Sequence, residues 1–267
     1  MFTLLNVAQP DTLQDAYKIL TAKRSNTVLG GCSYLRMGSH TIHTGVDLSK
    51  LGLQYIKESE AGIEIGAMTP LRAVEKMPAL AKYFSGILPQ AVSNIIGIQF
   101  RNIATVGASV FSRYGFSDVI TALLVLDAEV ELYHAGRMTL AAFLSTPRTK
   151  DILTKVILPV SGRRAAYRTL RNSASDYPVL TVAVSRLDDD WKIAVGARPT
   201  CAKLAVQAAG LLTTGAPVPA DIEQAAQRAA DELPFGDNMR ASAEYRRAMC
   251  KVLVKRALTE VQACRSK

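Results

Sequence analysis

The sequence Gln-Phe-Arg-Asn-Ile-Ala-Thr-Val-Gly-Ala-Ser-Val-Phe-Ser-Arg-Tyr-Gly-Phe-Ser-Asp runs from Gln99 to Asp118 and joins a compact polar loop to a helix that begins with an acid. Glycine reaches the positive φ angles of a concave loop, so the N–H groups around Gly107 could converge on a phosphate. Asp118 could then accept hydrogen bonds from ribose hydroxyls. The same residues also fit an ordinary tight turn, with Asp118 as a solvated acid at a helix start.

A second glycine loop runs from Thr27 to Leu35 and has the sequence Thr-Val-Leu-Gly-Gly-Cys-Ser-Tyr-Leu. A short apolar strand precedes its paired glycines, Gly30 and Gly31. Two such loops suit a diphosphate, because each can turn backbone N–H groups toward an anion. Together they favour a dinucleotide site over two unrelated turns.

With Ile65-Gly-Ala-Met-Thr69, the two loops resemble the FAD-binding subunits of the xanthine dehydrogenase and carbon monoxide dehydrogenase family of molybdenum hydroxylases. In that family a Gly-Gly-(Thr/His)-(Asp/Ser) loop and an Arg-Asn-x-Ala-Thr-Ile-Gly-Gly-Asn loop hold the FAD pyrophosphate. Further similar segments follow in the family's order and extend the resemblance over most of the chain. They are Ser117-Asp118, Asp151-Ile-Leu153, Leu158-Pro159, Tyr167 to Asp176 and Ser242-Ala-Glu-Tyr-Arg-Arg247.

The resemblance implies an α+β protein with two domains. Residues 1–162 would form an FAD-binding domain of the PCMH (vanillyl-alcohol-oxidase-like) type, itself made of two α/β subdomains. Residues 163–267 would form a C-terminal domain of the carbon monoxide dehydrogenase flavoprotein type, in which a three-stranded antiparallel sheet carries three helices.

The resemblance also assigns the cofactor contacts by position, and it assigns no catalytic side chain and no metal ligand. The ribose contact would be Asp118, Leu153 would lie beside the isoalloxazine ring, and Arg168 would stand near the flavin where many relatives have lysine. A shift of the alignment by one residue would move that last role to Thr169. The pyrophosphate contacts would be Leu29, Gly30, Gly31, Cys32, Ser33, Thr105, Gly107, Ala108 and Ser109, with Ser112 nearby.

Two of these positions depart from the family pattern, because Ala108 and Ser109 replace its second glycine and its asparagine. If position 108 needed a positive φ, alanine would cost about 1 kcal/mol there. Serine also reaches less far than asparagine. Weakened FAD binding is therefore one expectation. Cys32 could be read as a nucleophile, but the resemblance places a small polar phosphate-loop residue at that position.

By resemblance, the function is electron transfer by FAD within a complex that has an iron–sulfur subunit and a molybdenum cofactor subunit. The complex would be of the xanthine dehydrogenase type, and NAD is a candidate electron acceptor. Two alternatives remain open at the level of the sequence. One is an assembly subunit that has lost FAD through Ala108 and Ser109, and the other is a free-standing flavoenzyme of another family.

Composition narrows the function classes. The 267 residues include no apolar run of about 20 residues, and the first ten lack a signal-peptide pattern, so we expect a cytoplasmic protein without membrane contact. The four cysteines and three histidines show no metal-ligand spacing. The net charge of +9 comes from dispersed basic residues without a nucleic-acid-binding motif, so no nucleic acid is expected. Motifs for a Rossmann site, a P-loop or a hydrolase nucleophile are absent from the sequence.

Periodicity predicts the outline of the secondary structure. Helices are expected from Leu13, Pro70, Ala79 and Pro89, across 117–128, and near Cys201, Asp221 and Ser242. Strands are expected at Val28-Leu29, Gly45–Leu48, Leu53–Lys57, Gly62–Ile65, Glu129–His134, Tyr167–Leu170, Val179–Ser185 and Trp191–Val195. In the last helix, Arg247, Lys251 and Lys255 form one stripe, which is either a solvated face or a surface for an acidic partner.

Overall fold

We describe the fold from a computed structural model, which describes residues 2–212 and 217–263. Cys264 and most of the expected Thr213–Pro217 break lie outside the described residues. The chain forms two compact units. The first contains the residues up to Val74, Gly97–Ser112 and Ala128–Pro159, and the second contains Glu75–Ile96, Arg113–Asp127 and the residues from Val160 onward. The second unit thus also takes 75–96 and 113–127, and the linear division at 162/163 stays a prediction.

The first unit holds two sheets. Its elements are β1 (Thr3–Ala8), α1 (Leu13–Ala22), β2 (Thr27–Leu29), β3 (Thr41–Asp47), β4 (Ile56–Ser59), β5 (Gly62–Gly66), α2 (Leu71–Lys76, ending in the second unit), α5 (Ile98–Ile103), α6 (Val106–Phe111), β6 (Glu129–Leu132), β7 (Gly136–Thr139), α8 (Leu140–Ser145) and β8 (Leu153–Leu158).

The smaller sheet has the order β1-β3-β2, and all its strand pairs are parallel. Helix α1 begins after Thr12, whose hydroxyl accepts a hydrogen bond from the Asp15 N–H at 3.1 Å. Its apolar side packs with Val46 of β3, and Leu20 and Val46 are buried in one core cluster. Because β2 pairs with β3 in this sheet and ends at Leu29, the same packing fixes the start of the first glycine loop.

The larger sheet of this unit is antiparallel, with the order β4-β5-β8-β6-β7. Strand β5 has the sequence Gly-Ile-Glu-Ile-Gly, in which Ile63 and Ile65 are buried. Successive side chains of a strand point to opposite faces, so Glu64 lies on the other face, where it pairs with Lys155 of β8 at 2.9 Å. This alternation explains why the segment forms a strand with one buried face.

The second unit is a four-stranded antiparallel sheet with helices, in the order β12-β11-β10-β9. Its elements are α3 (Pro78–Lys82), α4 (Ile87–Ser93), α7 (Asp118–Leu124), β9 (Arg164–Arg171), β10 (Pro178–Leu187), β11 (Asp190–Gly196), β12 (Lys203–Leu204), α9 (Val206–Gly210), α10 (Pro219–Glu232) and α11 (Ala243–Ala263).

Apolar faces of β9–β11 and of α9–α11 share one core cluster, which includes Val182, Ile193, Ala226 and Leu258. The many alanines of α10 let this helix approach its neighbours closely. The expected three strands and three helices are therefore confirmed, and the two-residue strand β12 adds a fourth strand at the edge.

The remaining differences from the sequence predictions are local. Strand β1 was not anticipated, β4 lies three residues later than expected, and the helix predicted over 117–128 ends at Leu124. The expected polar loop before Asp118 is largely two short helices, α5 and α6. A strand that pairs with a distant segment, or a helix of six residues, leaves little periodic signal in the sequence.

Candidate functional site

A pocket of about 540 Å³ lies within the first unit. It brings together six of the predicted site residues: Gly30, Thr105, Gly107, Ala108, Ser112 and Leu153. The two glycine loops, which are about 75 residues apart in the sequence, thus open onto one cavity. A cavity of this volume is in the range of small-molecule and cofactor pockets, which is roughly 300–1,000 Å³.

Gly31 is the most constrained position of the first loop. Its φ is +75°, and a Cβ built there would lie 1.8 Å from the carbonyl oxygen of Ile103. Both the backbone angle and the contact therefore require glycine. The close approach of Gly31 to Ile103 holds the first loop against the end of α5, just before Thr105.

The backbone after Gly31 leaves its amides open. Cys32 also has a positive φ, of 56°, which is uncommon for a residue other than glycine. Among the hydrogen bonds of the described residues, none uses the N–H groups of Gly31, Cys32 or Ser33. Successive free N–H groups in a left-handed turn form a concave anion site. Burial raises the pKa of the Cys32 thiol, which favours its neutral form over a nucleophilic thiolate.

The second loop differs from the sequence expectation in its backbone. Thr105 is the N-cap of α6 and accepts a hydrogen bond from the Ala108 N–H at 3.2 Å. Gly107 lies inside α6, and its N–H donates to the Ala67 carbonyl at 2.8 Å. The expectation of a positive φ at Gly107 is wrong, because the residue has helical backbone angles. The expectation of a free N–H there is also wrong, because that N–H donates to the Ala67 carbonyl.

A different constraint requires glycine at position 107. A Cβ there would lie 2.7 Å from both the Cβ and the carbonyl oxygen of Ala67. Gly30 is restricted in the same way, since its Cβ would lie 2.7 Å from the Ala108 Cβ. Ala108 is helical, so the cost expected for a positive φ at this position does not arise. Ser109 donates its hydroxyl to the Thr105 carbonyl at 2.8 Å, within the same turn.

Lys150 is a pocket residue that sequence reasoning missed. Its ammonium group donates to the carbonyl oxygens of Leu20, Lys23 and Asn26, at 2.9, 2.5 and 3.0 Å. Burial lowers the pKa of Lys150. The three carbonyls lie more than 120 residues away in the sequence, so no local pattern signals this contact. Lys150 fixes the end of α1 against the pocket wall.

Two apolar residues at the start of β8 contribute to the lining of the pocket. Ile152 and Leu153 line the pocket at the start of β8, and both are buried. Asp151 just before them is also buried, and its carboxylate accepts hydrogen bonds from the N–H groups of His134, Ala135 and Ile152 at 2.7–3.0 Å. This anchoring fixes the start of β8 and therefore the position of Leu153.

Asp118 belongs to the second unit, where it is the first residue of α7 and only 4 % exposed. Its Oδ1 accepts hydrogen bonds from the Tyr167 hydroxyl and from the Arg171 guanidinium, both at 2.5 Å. Burial raises the pKa of Asp118, and Arg171 opposes this shift. Burial also raises the pKa of Tyr167 well above its usual value. The structure thus places Asp118 in a buried polar network, and its ribose contact stays a prediction.

Arg168 and Thr169 point to opposite faces of β9, as neighbours in a strand must. Arg168 forms an ion pair with Glu260 of α11. Thr169 lies on the same face as Tyr167 and Arg171, the two residues that contact Asp118. The flavin contact assigned to Arg168, or to Thr169 by the one-residue shift, stays a prediction.

Family models match both parts of the chain. Residues 2–161 match the FAD binding domain in molybdopterin dehydrogenase, and residues 165–261 match the carbon monoxide dehydrogenase flavoprotein C-terminal domain. The chain therefore belongs to the FAD-binding medium subunits of the molybdenum hydroxylase family, and it is an oxidoreductase component whose cofactor is FAD.

Individual relatives are distant but cover nearly the whole chain. The nicotine 6-hydroxylase medium subunit of Paenarthrobacter nicotinovorans is 26% identical over 97% of this chain and 98% of its own length. The glyceraldehyde dehydrogenase medium chain of Sulfolobus acidocaldarius is 27% identical over 94% and 96%. A carbon monoxide dehydrogenase structure from Hydrogenophaga pseudoflava shares the fold, with a TM-score of 0.87, 22% identity and 97% of each chain covered.

The residues of the pocket fit FAD. Of the lining residues, Gly107 leaves no room for a side chain and Leu153 gives an apolar wall. The first glycine loop reaches the pocket through Gly30, and the free N–H groups that follow, of Gly31, Cys32 and Ser33, suit a diphosphate although these three residues do not line the pocket themselves. In the described part of the chain, no group of three or more His, Cys, Asp or Glu could hold a metal ion. None of the described helices is both long enough and apolar enough to cross a membrane.

Proposed function

We propose that this chain passes electrons between an iron–sulfur cluster of a partner subunit and a soluble acceptor, in a complex that also has a molybdenum cofactor subunit. The observation that supports the proposal best is the convergence of both glycine loops on one pocket with a Gly31 backbone that excludes any side chain. FAD, when bound, supplies the conversion between one-electron and two-electron transfer.

In this proposal the protein acts by binding and orientation, without an acid or base. The N–H groups of Gly31, Cys32 and Ser33 would hold the pyrophosphate. Thr105 and Ala67 fix α6 as the other wall, through its N-cap and its Gly107 contact. Leu153 would exclude water beside the ring system. Two of the predicted contacts, Leu29 at the end of β2 and Ser109 in α6, would support the loops without contacting the cofactor.

The finer assignment is a xanthine dehydrogenase-like complex in the cytoplasm, with NAD as the acceptor. It rests on the resemblance to the xanthine dehydrogenase and carbon monoxide dehydrogenase family, whose motif order the chain follows from Gly30 to Arg247 and which does not by itself distinguish the two enzyme types. Anaerobic addition of NADH to the purified FAD-loaded chain is the direct test. We expect the flavin absorbance to bleach within seconds to minutes. A flavin that stays oxidised with NADH but is bleached by dithionite would contradict NAD as the acceptor.

The FAD site itself is tested by Gly31→Ala. The new Cβ would meet the Ile103 carbonyl at 1.8 Å, so the loop must move and FAD should be lost. Gly136→Ala is the matched control, because Gly136 has the same φ of +75° but open space around it. Both variants carry similar backbone strain, of about 1 kcal/mol, and only one has the clash.

The measurement is the FAD-to-protein ratio from absorbance after gel filtration, with circular dichroism as the check on folding. We expect Gly31→Ala to lose most of its FAD and Gly136→Ala to keep it. Equal FAD content in the two variants would contradict the assignment of the FAD site to this pocket. The alternative of an assembly subunit that has lost FAD depended on Ala108 and Ser109, and the helical backbone of Ala108 removes the cost expected at that one position.

A further inference from the structure

The outer face of α11 carries two neighbouring stripes. Tyr245, Ala248 and Val252 form an exposed stripe, in which Tyr245 is 47 % and Val252 is 37 % exposed. Arg247, Lys251 and Lys255 form the stripe beside it, and Arg256 adjoins both. The opposite face of the helix is buried in the core through residues such as Cys250, Leu253 and Val254. We call the exposed side, from Tyr245 to Arg256, the outer α11 face.

The basic residues of this face differ in their partners. Lys255 forms an ion pair with Glu223 of α10. Within the part of the chain that the structure describes, Arg247, Lys251 and Arg256 have no carboxylate within ion-pair distance. One of the three cations in the stripe predicted from the sequence, Lys255, is thus neutralised by an ion pair. Arg256 adds a further positive charge beside the other two.

We infer that the outer α11 face binds an acidic segment of a partner subunit, with Tyr245 and Val252 as apolar contacts and Arg247, Lys251 and Arg256 as its charge partners. Tyrosine and arginine are enriched at protein interfaces, where charged residues surround an apolar centre. The complementary surface is acidic because, among the described residues, the face has three cations without an ion pair and no acid between Tyr245 and Arg256, while one exposed acid, Glu244, lies a turn before Arg247. This inference rests on the proposed assembly with other subunits.

A protein partner fits this face better than a nucleic acid. Nucleic-acid sites combine many phosphate contacts with several stacking aromatic side chains or a helix that enters a groove. The outer α11 face offers three unpaired cations and one tyrosine. Its apolar stripe runs along the helix axis, which suits a second helix or strand with apolar and acidic residues.

The test uses the whole complex, purified through a tag on this chain after co-production with its iron–sulfur and molybdenum subunits. The variant is Arg247→Glu with Lys251→Glu and Arg256→Glu. The matched control is Lys57→Glu with Lys76→Glu and Lys82→Glu, at exposed positions outside α11, which makes the same change in net charge. A second variant, Tyr245→Ser with Val252→Ser, tests the apolar contacts without a change in charge.

We expect the affinity for the partner subunits, measured by titration in moderate salt, to fall roughly tenfold or more in the α11 charge variant and in the Tyr245 and Val252 variant. The control should bind within about twofold of the unchanged chain. FAD content and thermal unfolding should be the same in all four proteins. Since these two readouts do not depend on association, a variant that fails to fold is recognised directly.

Any other result overturns either the inference about the outer α11 face or the proposed assembly with partner subunits. Equal affinity in all variants, with FAD retained, overturns the inference and leaves the proposed function intact. Equal loss in the α11 variant and in the control shows an effect of net charge alone and also overturns it. RNA or vesicles of anionic lipid that bind the unchanged chain and not the α11 variant assign the face to another partner class. Absence of partner subunits from the unchanged chain overturns the proposed assembly and the inference with it.

Discussion

Gly31 and Gly107 belong to the two loops that open onto the pocket, and they require glycine for different physical reasons. Gly31 needs both a positive φ and the absence of a side chain, whereas Gly107 is helical and needs only the absence of a side chain. The sequence identifies both glycines by their motifs. It does not distinguish the two reasons, because the neighbours that exclude a Cβ, Ile103 and Ala67, are known only from the fold.

Cys250 gives a prediction about alkaline stability. Its thiol is buried in the core of the second unit, and burial raises its pKa from 9.0 to about 12. In the unfolded chain the thiol ionises from about pH 9, whereas in the folded chain it keeps its proton until about pH 12. The unfolded state therefore binds fewer protons in this range, and the free energy of unfolding falls as the pH rises.

Between about pH 8 and about pH 10.5, this one group should cost about 2 kcal/mol of stability. Denaturant unfolding of the unchanged chain and of Cys250→Ala across this range measures the effect. The variant starts from a lower stability because it leaves a cavity, but its stability should fall less steeply with pH. Parallel curves for the two proteins would show that the Cys250 thiol does not titrate in this way.

At the scale of the element, α11 depends on a buried arginine. Arg246 has no exposed surface, and its guanidinium donates to the carbonyl oxygens of Val179, Gly236 and Ala241 and to the Asn238 side chain. These contacts join α11 to β10 and to the segment that precedes the helix. Arg246→Met would leave the buried Val179 carbonyl and the partly buried carbonyls of Gly236 and Ala241 without this donor, and each unsatisfied buried group costs about 1–3 kcal/mol.

We therefore expect Arg246→Met to lower the free energy of unfolding by at least about 3 kcal/mol. The neighbouring exposed residue gives the control, since Arg247→Met should change it by no more than about 0.5 kcal/mol. Chemical denaturation monitored by the fluorescence of Trp191, the one tryptophan of the chain, measures both. Similar stability of the two variants would mean that water replaces the guanidinium at the acceptors.

The elements that the sequence predicted well are those with a strong local pattern. Strand β5 alternates buried and outward residues, and α11 begins directly after Ser242, whose hydroxyl accepts a hydrogen bond from the Tyr245 N–H. By contrast, β1 is recognised only through its pairing with β3, more than thirty residues later, because it has little buried surface and no alternation. The Lys150 contacts were missed for the same reason, since they join distant segments.

At the scale of the whole molecule, its two units serve one electron-transfer role in the proposed function. The first unit holds the pocket, and the second holds the buried Asp118 network and the outer α11 face. The relatives carry the names of hydroxylases and dehydrogenases for nicotine, glyceraldehyde and carbon monoxide. Substrates this different share a medium subunit of the same family, which favours a division of labour between electron transfer and substrate chemistry.

This division gives the last prediction. The purified chain, free of partner subunits and loaded with FAD, should oxidise NADH with an artificial electron acceptor such as ferricyanide, and it should form no hydroxylated product from a purine. Gly31→Ala, which should lack FAD, controls for oxidation of NADH without the cofactor. Product analysis by chromatography measures the hydroxylation, and absorbance at the NADH band measures the oxidation.

The two readouts separate the models. Oxidation of NADH without hydroxylation agrees with an electron-transfer subunit, because the site that binds the substrate would belong to another chain. A hydroxylated purine from the partner-free chain would contradict the subunit role and favour a free-standing flavoenzyme. NADH oxidation at the same rate by Gly31→Ala would instead separate that activity from the pocket. The comparison thus tests whether hydroxylation takes place on this chain or on a partner subunit, and the result does not depend on the outer α11 face.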